Sequence, residues 1–212
     1  LTELQLSSGP AAGEFVRVGT AATSFPADAQ EAKEQFRQFR AIHLANLLDP
    51  ALLATMLRMC ESSTWEPVSG SWGYREREEP QRAGRVLNLS LNRPSMLRWL
   101  EEATGCGPLA KVEGTLAQTL NRPGDELTWH DDYPERGRKL AFVVNLSTEP
   151  YVGGEFELRR KSGEMIFSHR YDELNSALIF AVDPGLEHRV LRLTAGGPRR
   201  VFAGWAFRTG AL

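Results

Sequence analysis

RKLAFVVNLSTEPYVGGEFEL, residues 138–158, decides the fold of this chain. It is a short apolar β-like run, a Pro-containing connection, a glycine pair and then a second run, with no helical periodicity. The same rhythm extends in both directions. KVEGTLAQTL (111–120) stands before it; EMIFSHR (164–170), SALIFAV (176–182), EHRVLRLT (187–194) and RRVFAGWAF (199–207) follow, punctuated by Gly, Pro and Asp. Many short strands with no long helix after Gly105 predict a β-sandwich or barrel for residues 111–212.

Residues 1–110 have a different character. A loose start containing SSGPAAG precedes a strand-like EFVRVG (14–19). PADAQEAKEQFRQF (26–39) is rich in helix formers, and AIHLANLL (41–48) reads as a short strand. DPALLATMLRMCE (49–61) opens with Asp49 as N-cap and Pro50 at the first helical position, then shows an apolar stripe. RPSMLRWLEEATG (93–105) is a further helix, closed by Gly105. The charge run REREEPQRAGR (75–85) between them reads as a solvated loop, with a flap over a site as the minor alternative. The whole is expected to be one α+β domain over 1–212, its helical front half packed outside a β-barrel-like core.

Composition narrows the function. At 23.6 kDa, with 42% hydrophobic and 25% charged residues, the chain is long enough to bury a core. A net charge of -2 gives no electrostatic reason to expect nucleic acid or an anionic membrane as partner. No apolar run reaches the length of a membrane span. Cys60 and Cys106 are far apart and outside any Cys-x-x-Cys pattern, so neither a disulfide framework nor a zinc site is indicated, and a reduced, cytoplasmic setting is the default expectation. The chain lacks a signal-peptide layout and begins with Leu1, so a trimmed start is expected.

The chemistry concentrates in TWHDDYP (128–134). Residues i and i+2 of an extended segment share a face, so His130 and Asp132 can hold one ion together while Asp131 points elsewhere. A third ligand from a distant strand would complete two histidines and a carboxylate, the arrangement of non-haem Fe(II) oxygenases. His188, starting a strand after a Pro-Gly turn, is the candidate. His43 is read as buried and structural, and His169 as exposed at a strand end.

From about residue 112 to 207 the chain resembles the Fe(II)/2-oxoglutarate-dependent dioxygenases of the prolyl 4-hydroxylase-like branch. The resemblance rests on RPGDELTWHDD, RKLAFVVNLSTEPYVGGEFEL, IFAVDPGLEHRVLRL and GGPRRVFAGWAF, in that order. It implies a double-stranded β-helix, jelly-roll-like, which agrees with the strand reading. It further implies His130, Asp132 and His188 as iron ligands, with 2-oxoglutarate as cosubstrate and O2 as oxidant. A basic residue about ten positions beyond the second histidine would pair with the distal carboxylate of the keto acid. Arg199 and Arg200 both qualify; Arg199 shares strand parity with Val201, Ala203 and Trp205 and is preferred. Where many relatives place tyrosines that touch the cosubstrate, this chain has Asn121 and Asn145, which could hold it by other hydrogen bonds.

The implied reaction is hydroxylation of a C–H bond with release of succinate and CO2, on a peptidyl side chain or a small molecule. Asp132 is kept where related halogenases carry a small residue, which favours hydroxylation; desaturation and cyclisation share the same ligands. A metal-free β-barrel binding module and a cupin-type metal enzyme are the competing classes. Trp129, Tyr133, Trp72 and Tyr74 either line a pocket or fill a core. Oligomeric state is not legible.

Overall fold

The structure, a computed structural model, describes residues 9–70, 73–133 and 137–210. Residues 1–8 of the expected loose start, and Trp72, lie outside that range.

Two minimal strands, β1 (Arg17–Val18) and β2 (Thr23–Ser24), precede α1 (Ala29–Phe39), β3 (Ala41–Leu44) and α2 (Pro50–Glu61). The α1 N-cap Asp28 accepts from the Gln30 amide, and Asp49 accepts from the Leu52 amide at the start of α2. Each carboxylate satisfies an amide that the helix itself leaves open. Next come β4 (Trp65–Gly70), β5 (Gly73–Glu78), α3 (Arg82–Leu91) and α4 (Pro94–Thr104). As expected, α4 stops at Gly105 in the left-handed region, φ 65°.

The charge run 75–85 is not a loop. Its first half is β5 and its second half opens α3. What overrides the polar composition is pairing on both edges of β5 together with one buried carboxylate. Glu78, 1% exposed, accepts from the Ala83 and Gly84 amides and the Ser63 hydroxyl, capping α3 where Gln81 makes no side-chain cap.

The β half supplies β6 (Leu109–Thr119), β7 (Leu127–His130), β8 (Arg138–Asn145), β9 (Tyr151–Gly153) and β10 (Phe156–Arg160). It continues with β11 (Met165–His169), β12 (Ala177–Ala181), β13 (Leu186–Val190), β14 (Leu193–Gly196) and β15 (Arg199–Arg208). One antiparallel sheet runs β11-β10-β13-β7-β5-β6-β15-β8-β12-β3, with β4 on β5; β9 and β14 form a separate pair. Because β3 and β5 belong to this sheet, the boundary expected near residue 110 does not separate helices from strands.

The sheet curls until its arms meet. Phe156 of β10 lies 4.7 Å, ring to ring, from Phe180 of β12, and Phe180 lies 4.8 Å from His188 of β13. That closure is the expected double-stranded β-helix. Phe142, Val144, Ile179 and Phe202 are fully buried in the core. The helices cover the outside: α1 lies on β3 and α4, while α3 and α4 lie along β6.

Candidate active site

One end of the curled sheet holds a cavity of about 310 Å³. His130 ends β7, Asp132 lies two residues on, and His188 sits mid-β13, directly opposite His130 in the ladder. One ligand atom from each of the three falls within 4.8 Å of the others, and among the described residues no other such group forms. The i, i+2 argument from the sequence thus brings His130 and Asp132 to one side. The Asp131 carboxylate, though at the cavity rim, pairs with Lys161.

The donor set suits a divalent metal. His130 Nδ1 lies 2.6 Å from the Thr128 carbonyl, so that nitrogen carries the proton and Nε2 keeps a lone pair for a metal. His188 is held neutral: burial pushes its pKa well below the ordinary histidine value, and the neighbouring His130 lowers it further while Asp131 opposes. Its Nε2 is 3.8 Å from Asp132 Oδ2. Two imidazoles and a carboxylate, with Phe156 and Phe180 against His188, are a first-row metal donor set on an apolar wall.

Across the cavity stands Arg199, 3% exposed, with its Nε shut off from solvent and without a hydrogen-bond partner. Its guanidinium carbon lies 4.8 Å from the centre of the Tyr171 ring. The glycine pair makes room for it: a Cβ on Gly154 would come within 3.3 Å of Arg199 Cδ and 2.8 Å of Leu193 Cδ2, at φ +74°. Strand parity holds, since Val201, Ala203 and Trp205 line the same cavity. Arg200 faces the other way, bonding Gln118 Oε1 from its Nε at 3.2 Å.

The two asparagines are not brought to the site. Asn121 is exposed in the turn after β6. Asn145 is buried, but its amide donates to the carbonyls of Tyr171 and Glu173 and its oxygen accepts from Ser147 N, which makes it a clasp for the 171–175 turn. Two tyrosines stand close to Arg199, though neither lines the cavity. Tyr171 is buried with an unpartnered hydroxyl, and Tyr151 donates its hydroxyl to the Tyr171 carbonyl.

His169 corrects the expectation of exposure: it is 9% exposed, because β11 pairs with β10 and its ring is wedged between His43, 4.4 Å away, and Tyr171, 4.7 Å away. Of the aromatics, Tyr133 is at the cavity mouth. Trp129 is on the outer face, under the guanidiniums of Arg159 (3.7 Å) and Arg189 (4.6 Å), and Tyr74 lies against Arg122. Sequence reasoning missed Arg75 on β5 and Arg138 on β8, both lining the cavity. Arg138 approaches Asp132 Oδ1 at 3.6 Å and stacks 3.5 Å from the Trp205 ring centre.

A curled antiparallel sheet thus carries two histidines and a carboxylate in one cavity with a buried arginine, a donor set of the kind non-haem iron oxygenases use. Residues 115–207, a little under half of the chain, match the family model of the 2OG-Fe(II) oxygenase superfamily. Three solved structures share the fold. An oxidoreductase of the 2OG-Fe(II) oxygenase family from Burkholderia pseudomallei is 15% identical, with TM-score 0.68 over 92% of this chain and 97% of that one. A prolyl-4-hydroxylase from Pseudomonas putida is 17% identical, TM-score 0.63, over 86% and 100%. A prolyl hydroxylase from Trichoplax adhaerens, in complex with a hypoxia inducible factor peptide fragment, is 16% identical, TM-score 0.62, over 84% and 88%. No curated protein matches the chain in sequence. Iron, 2-oxoglutarate and dioxygen are the cofactors and co-reactant of this class.

Proposed function

We propose that the protein, as one oxygenase domain, is an Fe(II)/2-oxoglutarate-dependent dioxygenase that hydroxylates a C–H bond, releasing succinate and CO2. The observation that carries this is the meeting of His130, Asp132 and His188 within 4.8 Å, in one cavity with buried Arg199.

His130 and His188 would supply imidazole nitrogens, and Asp132 a carboxylate, to the metal. Arg199 receives the distal carboxylate of the keto acid; a buried guanidinium with a hydrogen-bonding nitrogen to spare is matched to it in charge and shape. Phe156, Phe180 and Val190 keep the reacting end apolar and limit water. The bound iron supplies activation of dioxygen, coupled to decarboxylation of the keto acid. Retention of Asp132 fits hydroxylation better than halogenation. A cupin-type hydrolase or isomerase would leave Arg199 without a task, and a metal-free binding module would have no use for the ligand triad. A peptidyl side chain or a small molecule suits the cavity; the Trichoplax adhaerens neighbour, which holds a peptide, supports the former class. Two free cysteines fit a reducing, cytoplasmic setting, and no described helix is long and apolar enough to cross a membrane.

The test is anaerobic titration with Fe(II) and then 2-oxoglutarate, read by the weak visible charge-transfer band of a chelated keto acid. A band that needs both components and is lost in His188→Ala supports the assignment. Absence of the band, with no metal retained, overturns it.

A further inference from the structure

The strands that carry His130 and His188 have an outer face that the chemistry above does not use. Among the described residues β7 joins β13 through two residue pairs, His130 with His188 and Leu127 with Val190, and the register shifts between them. Three steps along β7 therefore oppose two along β13, which leaves Trp129 and Arg189 inside the irregularity. A bulge interrupts the ladder, so backbone pairing alone specifies the placing of His130 weakly.

The corner is held from outside the sheet. Arg189 of β13 donates from Nε to Glu157 Oε2 at 2.6 Å, and Arg159 of β10 donates from Nε to Glu187 Oε1 at 2.6 Å. Each pair stands directly opposite across β10 and β13. Fixed by these carboxylates, both guanidiniums lie against the Trp129 indole, the best of the aromatic faces for a cation. Arg159 reaches that indole from two strands away. One position beyond His130, Asp131 pairs with Lys161, which follows β10. The two neighbours of β13 are thus tied to each other over its outer face, on both sides of His130.

We propose that Trp129, with the guanidiniums of Arg159 and Arg189, is a positioning group for the metal: the stack sets where β7 presents His130 to His188 and Asp132. None of the three lines the cavity. This assignment rests on the oxygenase reading above and adds to it the residues that preorganise the ligand set. Groups behind metal ligands govern affinity because they hold the donors in place before the ion arrives. Electrostatics and positioning predict opposite signs here. Both arginines are cations behind a cation site, so by charge alone the removal of one strengthens metal binding. As a positioning group, its removal weakens it.

The test titrates the full chain with Mn(II) alone, read by the electron paramagnetic resonance signal of the free ion, with thermal unfolding of each metal-free variant beside it. Trp129→Leu keeps an apolar side chain without the π face and is expected to weaken Mn(II) binding about tenfold. Trp129→Phe restores a face and recovers part of the loss. Arg159→Met keeps a stem over the ring without the charge, and it too weakens binding. Asn92→Ala is the control. It removes the two bonds, 2.6 and 2.8 Å, that tie the end of α3 to the Val112 backbone, and it lowers stability while leaving Mn(II) affinity as in the parent. Should Trp129→Leu fail to fold, the sign of the change in Arg159→Met decides. Unchanged affinity in the stack variants, tighter binding in Arg159→Met, or an equal loss in Asn92→Ala overturns the proposal, while Mn(II) binding by the parent leaves the metal site standing. A parent that takes up no Mn(II) removes the oxygenase reading, and this proposal with it.

Discussion

His130 and His188 are paired across the β7–β13 ladder, their ring centroids 4.2 Å apart, although 58 residues separate them in the chain. Two imidazoles this close cannot both carry a proton without repulsion, and burial already holds His188 neutral. A divalent ion between them and Asp132 replaces that repulsion with attraction. Saturating Mn(II), a redox-silent stand-in for iron, is therefore expected to stabilise the fold by about 2.7 kcal/mol at a hundredfold excess over its Kd. Thermal unfolding with and without the ion measures this, and His130→Ala removes the shift.

Arg199→Gln is expected to weaken 2-oxoglutarate by about 2–5 kcal/mol while sparing metal affinity, since the guanidinium is buried and charged where the cosubstrate's distal carboxylate would sit. Separate titrations of metal and keto acid distinguish the two. Equal loss of both would place Arg199 in the structural frame instead.

Glu78→Ala is expected to destabilise the protein by roughly 2–3 kcal/mol, because one carboxylate serves two amides of α3 and the Ser63 hydroxyl. Urea denaturation gives the value. Glu78→Gln retains an acceptor and should lose less.

Acid should loosen the fold through His169. Burial, with help from His43 and Arg199, lowers its pKa from 6.5 to about 3. Between those limits the unfolded chain takes up a proton that the folded one refuses, so stability falls as pH drops below 6.5. The slope is about 1.4 kcal/mol per pH unit from this group alone. Stability curves at pH 7.5, 6 and 5 for the parent and His169→Gln isolate the contribution; identical slopes would contradict it.

The sequence made legible what depends on short-range geometry. Alternation along 199–205 put Arg199 with Val201, Ala203 and Trp205, and the one-residue spacer put His130 with Asp132, because the period of a strand is fixed. Asp49 and Gly105 did the same for two helix ends. What was hidden depends on partners far along the chain. GYRERE (73–78) has poor strand composition and is a strand because β4, β6 and β7 pair with it. Asn145 has the chemistry of a ligand group, yet its hydrogen bonds close a turn. Nothing local announces that His169 is wedged between His43 and Tyr171, or that Arg75 and Arg138 approach one cavity from different strands.

The doubly paired β5 and its Glu78 anchor bear on how the chain would recognise anything at all. Arg75 rides on a strand hydrogen-bonded to its neighbours and fastened at its end to α3. A guest arriving at such a strand has little backbone to immobilise, so little conformational entropy is lost on its capture. Discrimination would then rest on the guest's own shape and charge, tested against a frame set when the chain folded.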